Sequence, residues 1–324
     1  MRIKKEIIIL IVIIIALSIY LTLRSRDLTR YDLPKIPEVP SKEISKIEVI
    51  RKASSFILEK KGDEWVIPPK AYPADMIIVN NMLEALEELT ITTLVSESKS
   101  FDRYGLDEDN RVSVKAWSDG SLKYDFDIGK EGPSSRLTYI KLAGDHRVFH
   151  AREDFRWKFD QKIDKLRDPE VLSFDQEKIN RIEITQKGKT LVLSREQGAA
   201  PETSGEKGIE DKKGTEDKVI WVGENGQEAN QETIMDILRR LSSLSCDRYI
   251  EDRDKDDFTD PIIFFRLTGD REYTLSIFEK TGKDIEMFPA ISSGNKYSFM
   301  LSDENVEKLT KDPFEKEVAD EPGK

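Results

Sequence analysis

The chain says nearly the same thing twice. Ile44–Ile50 reads ISKIEVI and Ile179–Thr185 reads INRIEIT, so Ile44, Ile47 and Val49 return as Ile179, Ile182 and Ile184, 135 residues later (179 − 44). Each run alternates with a period of two, the pattern of a half-buried strand whose successive side chains face opposite ways. A second strand follows in both places, SFILEKKGDEWVI and then TLVLSRE…KVIWVG. Leu58 matches Leu193 at the same offset, but Trp65 matches Trp221 at 156 (221 − 65). The 21 extra residues (156 − 135) fall in residues 196–218, EQGAAPETSGEKGIEDKKGTEDK, which have no aromatic and almost nothing to bury. Such a stretch is expected to be a disordered flap grown from a hairpin turn.

A helix comes next in each half. Val79, Met82, Leu83, Leu86 and Leu89 form one face after an Asp75 N-cap, and Ile234, Ile237, Leu238, Leu241 and Leu244 repeat that face. Strands return as TTLVSE, RVSVKAW, LKYDFDIG, LTYIKLA and RVFHA, then as CDRYIE, IIFFRLT, EYTLSIFE, DIEMFPA and YSFML. Both halves close on a short amphipathic helix and an Asp-Pro, at Pro169 and Pro313. The pattern predicts an α+β protein of two tandem repeats, residues 44–172 and 173–314 with a tail at 315–324. Each repeat is expected to be a mostly antiparallel meander with one packed helix. Two such units in line offer a cleft or concave face between them, a common setting for binding.

The start has a different character. From Ile7 to Leu23 only Ser18, Tyr20 and Thr22 carry any polarity, and 17 helical residues span ~25 Å, the short end of a bilayer core. Ala16-Leu17-Ser18 resembles a signal-peptide cleavage site, but the apolar run continues past it. The expectation is an uncleaved membrane anchor within residues 1–30. Arg2, Lys4 and Lys5 before it and Arg24, Arg26 and Arg30 after it leave orientation nearly balanced. The bulk of the chain is expected on the outer side. Residues 31–43, with Pro34, Pro37 and Pro40 every third position, read as an extended spacer holding the first unit off the membrane.

A formal charge of −11 argues against a nucleic-acid footprint, which needs a basic face. One cysteine, Cys246, excludes an internal disulfide, and two histidines exclude a His-rich metal site.

The order of these elements resembles the bacterial domain-of-unknown-function 4340 family. The resemblance is carried by Ile47-Glu48-Val49, Gly62 to Trp65 with Pro68 and Pro69, Ala74-Asp75, Tyr104-Gly105-Leu106 and Asp127-Ile128-Gly129. It continues through Tyr139–Leu142, Val148-Phe149 and Leu166-Arg167-Asp168. It covers residues 44–175 well and the second copy loosely, where Asp257-Phe258-Thr259-Asp260 replaces Tyr-Gly-Leu. The resemblance implies a membrane-anchored envelope protein linked with ATP-binding-cassette transporters related to gliding-motility auxiliary components. It brings no catalytic residues.

Four further signals stand in the sequence. Ser96-x-x-Lys99, Ser118-Asp119-Gly120 and Lys280-Thr281-Gly282 stand in the order of a penicillin-binding serine hydrolase. That chemistry needs the serine at a helix start, whereas Ser96 ends a predicted strand, and Lys280 belongs to a predicted hairpin turn. Asp252, Asp254 and Asp256 begin a calcium loop, but Asp257 and Ile263 occupy its glycine and glutamate positions. His146 and His150 flank one strand with no third ligand near. Trp117 and Trp157 are candidates for a surface aromatic patch. No phosphate-binding glycine loop occurs, so ATP hydrolysis would belong to a partner.

The expectation is a non-catalytic scaffold or binding subunit held to the membrane by its N-terminal helix, for which the resemblance implies a transporter permease or ATPase as partner. No catalytic, cofactor or metal residue is assigned. The rival is an enzyme acting on an envelope polysaccharide or peptidoglycan, or a stand-alone ligand-binding module, in the cleft between repeats.

Overall fold

A computed structural model describes residues 5–27, 32–134, 136–197, 219–280 and 287–315. Most of the 196–218 stretch, Thr281-Gly282 and nearly all of the tail lie outside the described residues. The chain divides into two compact units that meet at Asp168 and Pro169.

The first unit begins with α1 (Lys5–Asp27). Its side chains are described from Leu10 to Thr22, and its large apolar ones are each 48–59% exposed. Among the described residues no helix is long and apolar enough to cross a membrane. Then come β1 (Ile44–Arg51), β2 (Ser54–Lys61), β3 (Glu64–Ile67), β4 (Tyr72–Pro73), α2 (Met76–Glu87) and β5 (Ile91–Ser96). They are followed by β6 (Val112–Ser118), β7 (Ser121–Glu131), β8 (Leu137–Leu142) and β9 (Val148–Arg152). Two short helices, α3 (Arg156–Phe159) and α4 (Ile163–Leu166), close the unit. The nine strands form one sheet in the order β4-β3-β2-β1-β6-β7-β8-β9-β5. Alternation decides its faces: Ile47, Val49, Val114, Ala116, Phe126 and Ile128 are all buried on one side, where Phe126 meets Phe159 edge to face at 6.5 Å. Helix α2 covers that side with Val79, Met82, Leu83 and Leu86. Asp75 starts the helix, accepting the N–H groups of Ile77 (2.8 Å) and Ile78 (3.3 Å) that would otherwise lack partners.

The second unit opens with β10 (Glu170–Ser173), β11 (Arg181–Gln186), β12 (Lys189–Gln197), β13 (Val219–Gly223) and α5 (Gln231–Leu241). It continues with β14 (Ser243–Ser245), β15 (Arg248–Tyr249), β16 (Ile263–Thr268), β17 (Glu272–Ile277), β18 (Met287–Ser292), β19 (Phe299–Ser302) and α6 (Asp303–Leu309). Its large sheet runs β13-β12-β11-β16-β17-β18-β19-β15, and β10 pairs with β14 as a separate ribbon. Asn230 caps α5 through the Thr233 N–H at 3.1 Å.

The structure is therefore α+β with two large antiparallel sheets. Four details differ from the sequence expectation. Neither sheet is a plain meander: a strand from beyond the helix, β5 in the first unit and β15, after β14, in the second, lies at the far edge beside β9 or β19. Leu244 packs from β14 rather than from the helix, and Leu89 is buried one residue beyond the α2 C-cap. The closing helix of the first unit is broken into α3 and α4. Residues 169–172 pack with the second unit rather than the first, because β10 finds its partner in β14.

Candidate functional site

Two regions of the first unit gather the residues that carry chemistry. One lies on the sheet face opposite α2. There the carboxylate of Asp127 bridges strands, bonded to Ser113 Oγ (2.6 Å), Lys141 Nζ (2.7 Å) and, more distantly, Arg111 (4.0 Å). Beside it a column of rings runs from Tyr104 to Tyr139 (5.0 Å between centroids) to His150 (4.7 Å). Lys46 sits over Trp117 at 5.2 Å, which places that indole on this outer face and half-buried. Trp157, on α3, is 53% exposed.

The Tyr104-Gly105-Leu106 turn lies across this face because Gly129 lets it. A Cβ on Gly129 would stand 2.2 Å from the Tyr104 carbonyl oxygen and 3.0 Å from Leu106 Cγ. Gly105 adopts φ +65°, a left-handed conformation glycine reaches without strain. The turn then drops Leu106 into full burial. Arg156 locks the same corner from α3, donating to the carbonyls of Ile128 (3.2 Å), Gly129 (2.9 Å) and Asn110 (2.6 Å). The sequence motifs Tyr-Gly-Leu and Asp-Ile-Gly are thus two sides of one contact.

His150 is half-buried, its Nε2 is shielded from water without a hydrogen-bond partner, and burial pushes its pKa below the ordinary imidazole value. A lowered folded-state pKa means that the unfolded chain takes up the proton first. Stability contributed by the neutral ring is complete above about pH 6.5 and declines as pH falls below it. Urea unfolding of the first unit between pH 7.5 and 5 is expected to show this decline, and His150→Gln to flatten it. An unchanged slope in the variant would assign the acid sensitivity elsewhere.

The second region is the strap formed by Pro34 to Pro40. It does not stand free as a spacer. The Tyr124 hydroxyl donates to the Pro37 carbonyl (3.0 Å) and accepts the Val39 N–H (3.4 Å), Val39 is 8% exposed, and the Ser41 N–H donates to Glu87 Oε2 at 3.3 Å. Between the strap and the chain from Glu87 to Ile91 lies an open groove of about 920 Å³. Tyr124→Phe removes both hydroxyl bonds and is expected to cost only about 1 kcal/mol overall. Its sharper effect should be local, as faster amide exchange across residues 35–39 with the sheet amides unchanged.

The other sequence signals fall apart in space or into local roles. Ser96 ends β5, its Oγ 2.9 Å from Ser98 Oγ and accepting the Ser98 N–H at 3.0 Å, a turn rather than a helix start. Ser118 is buried in the β6–β7 hairpin, with Asp119 and Gly120 at positive φ as a two-residue turn demands. Lys280 pairs with Asp303 and lies 4.6 Å over Phe288. In the acidic stretch, Asp254 and Asp257 cap a short 3-10 turn reciprocally, which puts them to work on the backbone. His146 is exposed ahead of β9 and His150 lies within it. Among the described residues no three His, Cys, Asp or Glu are grouped to hold a metal ion. Sequence reasoning missed the strap's docking, whose signal was Tyr124, an inward-facing strand residue with a hydroxyl that needed a partner.

A family model described as "Domain of unknown function (DUF4340)" matches residues 65–261, a single span of 197 residues (261 − 65 + 1) running from β3 of the first unit to the residues just ahead of β16 in the second. No curated protein and no solved structure matches the chain.

Proposed function

We propose that the chain, which belongs to the DUF4340 family, is a membrane-tethered, non-catalytic binding subunit of the bacterial cell envelope. In this reading α1 is a single-pass anchor in the cytoplasmic membrane, both units lie on its outer side, and the partner is an ATP-binding-cassette transporter of the gliding-auxiliary kind. What supports it is the apolar run Ile7–Leu23 of the sequence, of which the described large side chains, Leu10 to Leu21, are each about half exposed; the described residues alone are too short an apolar helix to cross. Burying such a surface in hydrocarbon is worth ~25 cal/mol per Å². The transporter is supported by the family resemblance alone.

We also read the two units as copies of one ancestral unit. Supporting this, Ile47 pairs with Leu58 and Ala116 across its two neighbours, as Ile182 pairs with Leu193 and Leu267. The Ala74 N–H donates to the Trp65 carbonyl and the Ala229 N–H to the Trp221 carbonyl, each at 2.9 Å.

The test is isolation of the intact protein, tagged at Lys324, from gently cross-linked native membranes. A stoichiometric permease or ATPase is the expected companion. Recovery of the protein alone would end the transporter reading.

A further inference from the structure

The first unit closes on a segment whose charge runs against the rest of the chain. Residues 156–167, RWKFDQKIDKLR, hold five cations and two carboxylates, a net of +3 (5 − 2), in a protein of formal charge −11. The second unit closes differently. Residues 303–312, DENVEKLTKD, hold two lysines and four carboxylates, a net of −2 (2 − 4), and no aromatic residue.

Most charges of the first segment are engaged within the fold. Asp160 is paired with Arg51 (2.7 Å) and Arg156 (3.5 Å), and Asp164 with Arg167 (3.5 Å). Lys158 reaches Glu84 of α2 at 3.1 Å. Lys162 and Lys165 are exposed and, among the described residues, form no ion pair. In the same short stretch stand two exposed apolar side chains, Trp157 (53%) and Ile163 (38%).

The segment runs back along α2. Lys158 holds it to Glu84 at one end, and the Asp75 N–H donates to the Leu166 carbonyl (2.8 Å) at the other. Met76 and Ile77, which open α2 and are 43% and 74% exposed, therefore belong to the same helical layer. The far end of α2 is where the strap arrives from α1, the Ser41 N–H donating to Glu87. The layer that receives the strap is thus the layer that carries the rings and the two unpaired lysines.

We propose that this layer docks the first unit on an anionic lipid surface. Trp157, Ile163 and Ile77 enter the headgroup region, where an indole buries its ring and keeps its N–H solvated. Lys162 and Lys165 face the lipid phosphates, an attraction that acts within a Debye length of the surface. So few contacts suffice only for a unit already held close, because tethering makes docking intramolecular. The proposal rests on the membrane-tether reading and goes beyond it, giving the first unit a fixed face toward the lipid.

The test uses the full chain in vesicles of phosphatidylcholine and phosphatidylglycerol, about two to one, with or without a doxyl-labelled phosphatidylcholine that quenches near the headgroups. None of the four tryptophans lies in α1, so quenching reports the folded units and not the anchor. Trp65 and Trp221 are each 3% exposed, and subtracting the emission of Trp157→Phe isolates Trp157. More than about half of that emission should be quenched at low salt. Lys162→Gln and Lys165→Gln should each lower the docked-to-free ratio about fivefold, with carbonate-resistant flotation unchanged. Vesicles of phosphatidylcholine alone should give no more quenching than the double variant. A chain that floats while Trp157 escapes the quencher would overturn the docking, give the patch to a protein partner and leave the anchor standing. Quenching indifferent to lipid charge and to both lysines would overturn it as well. A chain washed off the vesicles would overturn anchor and docking together.

Discussion

Gly129→Ala is expected to unfold the first unit's outer corner or to cost it several kcal/mol. The added methyl would stand 2.2 Å from the Tyr104 carbonyl oxygen, 3.0 Å from Leu106 Cγ and 3.2 Å from Tyr139 Cβ. Two of those neighbours are side-chain atoms of packed residues and the first is backbone, so no flexible tip can swing aside. Overpacking a core typically costs about 1–3 kcal/mol, and displacing a main-chain turn belongs at or above the top of that range. Movement of the turn would also lift Leu106 from full burial and open the Tyr104–Tyr139 contact. Gly62→Ala is the control: its φ is +65° but nothing lies within 4 Å, so only a conformational cost of about 1 kcal/mol is expected. Urea unfolding followed by hydrogen exchange in peptides from β7 would separate the two. Equal effects from both glycines would show that the Tyr104 turn is not held by this contact.

Deleting residues 1–31 is expected to move the protein from carbonate-washed membranes to the supernatant. Thirteen Leu, Ile and Val residues stand between Ile7 and Leu23, and at roughly −0.3 to −0.6 kcal/mol each they favour insertion by ~4–8 kcal/mol. Ile14→Arg should weaken insertion on its own, since a central arginine costs about 2.5–3.5 kcal/mol. The deletion leaves the strap and its Tyr124 clamp in place, so loss of membrane association could not be blamed on an unfolded first unit. A deleted chain that stays in the washed pellet would defeat the anchor reading.

The strands were legible because their burial is one-sided. Ile47 and Val49, or Ile182 and Ile184, alternate with polar residues, and a period of two admits few other readings. Helices α2 and α5 were equally plain, down to the Asp75 cap, but the first unit's closing helix was not, since it is broken into α3 and α4. Pairing across distance was not legible. Nothing in ITTLVS distinguishes a strand beside β1 from one beside β9, since sheet order depends on which edges remain free after the helix has packed. The serine, aspartate and histidine signals failed for a common reason: short polar patterns serve turns and caps far more often than reactions, as Ser96, Ser118 and Asp254 do here. Gly129 was visible as a motif residue, but the contact that requires it joins positions 25 residues apart (129 − 104), which no local pattern encodes.

The bond between Tyr124 and Pro37 has one more consequence, for how far the first unit can roam. With α1 in a bilayer, nine residue steps separate Asp27 from Ile36, a contour of at most ~30 Å. Released as far as Ile44, the same leash would reach ~58 Å. The accessible volume shrinks as the cube of that ratio, so the docked strap, through Tyr124, buried Val39 and the Ser41–Glu87 bond together, would raise the unit's local concentration at the membrane surface roughly sevenfold.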